Sequence, residues 1–121
     1  MSKVVKVDEI PFESVEWGRT KEVISPQSGG SRNVKVKVTE YLPGHEHDLH
    51  VHPDQEEVIF VLSGKGTTHW EGGKQEVGPG CVIFIPAGEA HANVNSSDTE
   101  PLRVIVIKSP PDDREVKVKK Q

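Results

Sequence analysis

The chain has a single cysteine, Cys81, among its 121 residues, so no disulfide can form within it. A lone cysteine fits a reducing compartment, and we interpret Cys81 as a small buried hydrophobic residue. No stretch approaches the roughly 20 apolar residues of a membrane span. The start of the chain also lacks an apolar run of signal-peptide length. We therefore expect a cytoplasmic protein that has no membrane partner.

An excess of basic residues is also lacking. Lysine and arginine total 15 against 19 acidic residues, which gives a net charge of −4. Nucleic-acid binding needs a basic surface, so nucleic acid is not expected as a partner. The length is sufficient for one hydrophobic core and too short for a second, which predicts a single domain over residues 1–121.

Eleven glycines and nine prolines divide the chain into short segments of alternating polarity, and no convincing helix of ordinary length is visible. Between Asn33 and Tyr41, for example, Val34, Val36 and Val38 alternate with polar residues, which predicts a strand with those valines on its buried face. Further strands are predicted at Glu57–Leu62, Thr67–Glu71, Cys81–Ile85, Ala90–Asn95 and Leu102–Lys108.

Many short strands at regular spacing predict an all-β sandwich or small barrel, whose core would span about residues 33–108. The terminal stretches Lys3–Val7 and Val116–Lys120 alternate valine with lysine, which indicates either frayed ends or edge strands completed by a partner chain. A barrel this small would gain by covering such edges with a second chain, so we expect a homodimer.

Histidine is concentrated in one place: four of the six histidines lie between His45 and His52. Imidazole and carboxylate groups bind transition metals. Side chains alternate along a strand, so His50 and His52 share one face, and the odd-numbered His45 and His47 face the other way unless a bulge intervenes. The even pair has the better partner, because Glu57 begins the returning strand.

At this point the sequence resembles the cupin family. The first cupin motif is Gly, five residues, His-x-His, three or four residues, Glu, six residues, Gly. Every fixed position is present, as Gly44, His50, His52, Glu57 and Gly64.

The second cupin motif follows in the expected order. It requires Gly, five residues, Pro-x-Gly, two residues, His, three residues and Asn, and the chain has Gly80, Pro86, Gly88, His91 and Asn95. The resemblance implies a double-stranded β-helix of jelly-roll type. It also implies that four residues are metal ligands, namely His50, His52, Glu57 and His91.

Three histidines and one carboxylate around an octahedral ion leave two coordination positions for other molecules, which suggests chemistry rather than a purely structural site. Iron(II) is the first expectation, followed by manganese, nickel, cobalt and zinc. The leading hypothesis is a metal-dependent oxidoreductase, dioxygenase-like, acting on a small organic molecule. One alternative is a non-catalytic binding or sensing domain, and another is an isomerase or decarboxylase. Arginine is absent from residues 33–102, which disfavours an oxalate-decarboxylase-like activity.

Three further residues have two interpretations each. His69 would become a candidate base beside the metal only if it faces the barrel interior, and we expect it to face outward. Trp70 and Phe84 are interpreted first as wall or core residues and second as aromatic contacts for a ligand.

Overall fold

The structure is a computed structural model that describes residues 2–44, 49–111 and 116–117, the last pair as backbone only. Apart from a short 3-10 turn at Val7–Glu9, the regular structure of these residues is all strand. No helix among them is long and apolar enough to cross a membrane. The strands are β1 (Glu13–Val15), β2 (Gly18–Ile24), β3 (Lys35–Tyr41), β4 (His50–Val51), β5 (Glu56–Ser63), β6 (Gly66–Trp70), β7 (Gly73–Val77), β8 (Val82–Ile85), β9 (His91–Asn95), β10 (Leu102–Ser109) and β11 (Val116–Lys117).

The strands form two antiparallel sheets. One has the order β1-β2-β3-β10-β5-β8, and the other has the order β11-β4-β9-β6-β7. Side chains from β5 in the first sheet contact side chains from β9 in the second, so the inner faces of the two sheets enclose a common interior. The predicted all-β fold is confirmed, and the six strands predicted between residues 33 and 108 occur within one or two residues of the expected positions.

Most of the hydrophobic core comes from the six-stranded sheet. Strand β10 contributes every second residue to it, because side chains alternate along a strand. Cys81 is half-buried and packs against this core, as expected of a small hydrophobic residue. The core residues are Ile59, Val61, Ile85, Leu102, Val104 and Val106.

The predicted burial of the first strand is wrong in part. Lys35 is buried, and its ammonium nitrogen lies 3.1 Å from the Glu22 carboxylate, whereas Val34 precedes β3 and is exposed. Strand β3 lies inside its sheet between β2 and β10, and burial does not alternate along it. Val38 and Thr39, on opposite faces, are each only 3% exposed, so both faces of the strand are covered at this point.

The N-terminal edge strand predicted at Lys3–Val7 is not formed, and a 3-10 turn begins at Val7 instead. The ammonium group of Lys21 donates to the carbonyls of Val7, at 2.7 Å, and Ile10, at 3.0 Å, and so anchors this turn to β2. At the other terminus, Val116–Lys117 forms β11 at the edge of the five-stranded sheet, and the rest of Val116–Lys120 lies outside the described residues.

The outer face of the six-stranded sheet carries exposed apolar side chains on three adjacent strands. Phe60 on β5 lies opposite Val82 on β8 and Ile105 on β10, and Phe84 and Ile107 flank them. A contiguous exposed apolar patch is typical of an interaction surface. The homodimer stays a prediction: light scattering at micromolar concentration should give about twice the 13.3 kDa chain mass. A monomer under those conditions would contradict it.

Candidate metal centre

Three histidines come together where β4 and β9 pair. His50 and His91 are directly opposite each other in the ladder, and His52 follows β4 on the same side as His50. Ring centroids are 4.3 Å apart for His50 and His91, 5.0 Å for His50 and His52, and 5.5 Å for His52 and His91. One ring nitrogen from each residue lies within 4.8 Å of the other two. The three histidines could therefore hold a metal ion.

Glu57 reaches the same point from the opposite sheet. Its Oε2 atom lies 2.9 Å from Nε2 of His91 and 3.9 Å from Nε2 of His52. Metal–ligand bonds of about 2.1 Å place neighbouring ligand atoms of an octahedral ion about 3 Å apart, and opposite ligand atoms about 4.2 Å apart. Both observed distances fall in that range.

A second contact orients the His91 ring. Its Nδ1 lies 3.2 Å from the backbone carbonyl of Glu89, and a carbonyl only accepts, so Nδ1 donates. Nε2 is thereby directed toward the buried Oε2 atom of Glu57. A proton on Nε2 or a metal ion shared by the two atoms satisfies this contact, and the three clustered histidines fit a metal ion.

The charge state of Glu57 depends on its neighbours. Burial alone would raise the pKa of its carboxyl. The close approach of His91, the positive charge of Lys108 and the nearby His52 outweigh burial and hold the pKa below its ordinary value. Glu57 is therefore an anion at neutral pH, the form that binds metals.

Two residues near Glu57 were not identified as site residues from the sequence. Lys108 is mostly buried, and its ammonium nitrogen lies 3.7 Å from Glu57 Oε1, which leaves Oε2 toward the histidines. Parity could have identified Lys108, because it has the same parity along β10 as the inward Leu102, Val104 and Val106. Tyr41 is the second, and no sequence pattern singled it out. Burial first, and then the Glu57 charge, raise the pKa of its phenol.

Tyr41 belongs to a polar network on the inner wall. Its phenol hydrogen-bonds to the side chain of Asn93. The Thr68 hydroxyl donates to Asn93 Oδ1 at 3.0 Å. The motif residue Asn95 has a structural role, since its amide donates to the backbone carbonyls of Tyr41 and Glu100. The network fixes the wall that adjoins His91 on β9.

The remaining histidines lie elsewhere. His69 is on β6 between Thr68 and Trp70, which both line the interior, so its side chain is on the opposite face and does not meet the condition for a base beside the metal. His45 and His47 lie outside the described residues. That they face away from His50 and His52 stays a prediction.

A cleft of about 570 Å³ leads from the surface to His91. It lies between β7 and β8, which are the edge strands of the two sheets. Trp70 lines the inner wall of the cleft, whereas Phe84 only borders it and is 58% exposed. Phe84 is on the outer face of the edge strand β8, so the interpretation of Phe84 as a core residue is wrong.

Comparison with known proteins agrees with this geometry. Over 67 residues the chain is 34% identical to the oxalate-binding protein of Thermotoga maritima, covering 54% of this chain and 55% of that protein. It is 35% identical over 91 residues to auxin-binding protein 4 of Zea mays, covering 68% of this chain and 44% of that protein. The chain thus spans about half the length of these relatives.

Among solved structures, the polyketide cyclase RemF from Streptomyces resistomycificus superposes with a TM-score of 0.83 and 26% identity, over 100% of this chain and 88% of that one. The sequence profile described as Cupin domain matches residues 37–108, which is more than half of the chain. On that match, and with both motifs at the positions that build the centre, the chain belongs to the cupin family.

Proposed function

We propose that the protein is a metal-dependent enzyme acting on a small organic molecule, an oxidoreductase of dioxygenase-like type. The observation that carries the proposal is the cluster of three histidine ring nitrogens within 4.8 Å of one another, with Glu57 Oε2 2.9 Å from His91 Nε2, at the end of a cleft. A metal ion held by these residues would be accessible to a small molecule entering from the surface. Buried structural metals, in contrast, have closed ligand shells.

The residues that would hold the metal are His50, His52, Glu57 and His91. Iron(II) is the first choice for this set of nitrogen and oxygen ligands, with manganese, nickel, cobalt and zinc as alternatives. The metal would supply Lewis-acid chemistry at an oxygen atom of the substrate.

The protein's own residues orient the ligands and exclude water. The Glu89 carbonyl fixes the tautomer and orientation of His91, and Lys108 holds the outer oxygen of Glu57. Tyr41 stays protonated at neutral pH because its pKa is raised, so it positions Asn93 and does not act as a base. These roles leave the reactive step to the metal and the substrate.

The test begins with elemental analysis of protein purified without chelator, where we expect about one transition-metal ion per chain. Each reconstituted metal form is then given candidate substrates anaerobically, and air is admitted while oxygen uptake is recorded. Metal-dependent uptake that stops at substrate exhaustion supports the proposal. Protein that binds no metal under any of these conditions would contradict it.

A second candidate function is a non-catalytic module in which the metal anchors a ligand. The observation that favours it is the similarity to two proteins described as binding oxalate and auxin. Tight binding without turnover in any metal form would support this candidate over the enzyme. Metal-dependent turnover without oxygen uptake would instead favour an isomerase or decarboxylase.

A further inference from the structure

The cleft between β7 and β8 has an aromatic side chain on its inner wall beside His91. Trp70 on β6 is the ladder partner of His91 on β9, so the indole and the imidazole are neighbours on the inner wall. Both side chains line the cleft. A molecule that reaches His91 along this wall therefore contacts Trp70.

The Trp70 indole is held in place by its other ladder partner, Gly73 on β7. A Cβ atom at Gly73 would lie 3.0 to 3.1 Å from three atoms of the indole, closer than ordinary van der Waals contact. The absence of a side chain at Gly73 thus lets the indole pack directly across the backbone. An aromatic wall fixed in this way loses little conformational entropy when a flat molecule packs against it.

The charged side chains of the cleft limit the charge of the ligands that it can bind. Among its described lining residues, Glu89 carries the only carboxylate, and no lysine or arginine is present. A dicarboxylate or a phosphate ester would find no cation there other than a metal at His91 and would be repelled by Glu89. Apolar side chains, among them Val77, Ile83 and Ile85, make up much of the remaining wall.

We infer that the cleft binds an uncharged, flat aromatic molecule, with its ring against Trp70 and a hydroxyl or carbonyl oxygen directed toward His91. The inference deepens the proposed function by naming a substrate class, and only the position of the oxygen rests on the metal. The volume of about 570 Å³ accommodates a molecule with two or three fused rings.

The ring contact is tested first without metal. In a Trp17→Phe variant, Trp70 is the only tryptophan, so its fluorescence reports on the cleft. Titration of this metal-free protein with 2-naphthol should give saturable quenching. Calorimetry on the unchanged protein provides the same affinity if Trp17→Phe, which places a smaller ring against Tyr41, fails to fold. Unsaturable quenching together with no calorimetric binding would overturn the inference, whatever the metal content.

Variants of Trp70 and Gly73 then test where the ring of the ligand binds. Trp70→Ala should weaken 2-naphthol binding about tenfold, because stacking against an aromatic side chain contributes about that factor. Trp70→Phe should retain most of the affinity, and Gly73→Ala should weaken binding by displacing the indole. Metal content should be unchanged in all three. Equal 2-naphthol affinity in Trp70→Ala and the unchanged protein would overturn the inference.

A zinc-loaded sample, which is redox-inert, tests the ligand class. Here 2,3-dihydroxynaphthalene should bind at least about tenfold more tightly than oxalate, and Trp70→Ala should reduce that preference. Tighter binding of oxalate would overturn the inferred class while leaving the metal site intact. Failure to load zinc or any other metal would contradict the proposed function but not the metal-free ring binding.

Discussion

Replacement of His91 by alanine is expected to lower metal affinity at least about 100-fold, since even residues that only support metal ligands contribute 10- to 100-fold. His91 is 1% exposed, and its Nε2 atom lies 2.9 Å from Glu57 Oε2. Metal stoichiometry after dialysis, together with melting temperature with and without metal, measures the effect. Affinity and metal-induced stabilisation should fall together, because an ion that binds only the folded state stabilises it by mass action.

His69→Ala is the matched control. It removes the same side chain from the adjacent strand β6, on the face that points away from the centre, so metal content should not change. His45→Ala and His47→Ala should also have little effect if the parity prediction holds. If either of them removed the metal as fully as His50→Ala does, the ligand set would have to be rebuilt around the odd-numbered histidines.

Gly64→Ala is expected to destabilise the fold by about 3 kcal/mol or more. Gly64 has a φ of +91°, and an added Cβ would lie 2.4 Å from the carbonyl oxygen of Pro101 and 2.9 Å from the Cα of Leu102. Left-handed backbone costs an ordinary residue about 1–2 kcal/mol, and overpacking against immovable atoms adds about 1–3 kcal/mol. Urea unfolding of the metal-free protein measures the difference in free energy of unfolding.

Gly72→Ala separates the two contributions. Gly72 has nearly the same φ, +95°, but an added Cβ there meets no atom within 4 Å. Its substitution should therefore cost only the conformational part, about 1–2 kcal/mol. Equal destabilisation by both variants would show that the close approach of Gly64 to Pro101 contributes nothing.

The sequence predicted the strands and the histidine cluster because both depend on local periodicity. His50 and His52 share a face by alternation alone, and the spacing of Glu57 and His91 matched two known motifs. Gly64 was identified as a motif position, but its contact with Pro101 depends on β10 packing beside β5, which no local pattern contains.

The errors have the same origin. Burial of Lys35 was missed because alternation identifies two faces of a strand but not which neighbours cover them. Lys3–Val7 alternates as a strand does, but alternation does not specify a pairing partner, and none of the described strands pairs with this segment. Tyr41 could not be predicted because its position beside Asn93 and Glu57 arises only when the two sheets meet.

Because strand β4 is short, a metal ion at the centre would affect the cooperativity of folding. It has two residues, and it pairs with β9 through a single residue pair, His50 with His91. An ion shared by His50, His52 and Glu57 would cross-link this weakly attached strand to β5 in the opposite sheet. Opening of β4 would then require release of the ion, so metal supply would determine whether this corner of the barrel unfolds locally or only together with the core.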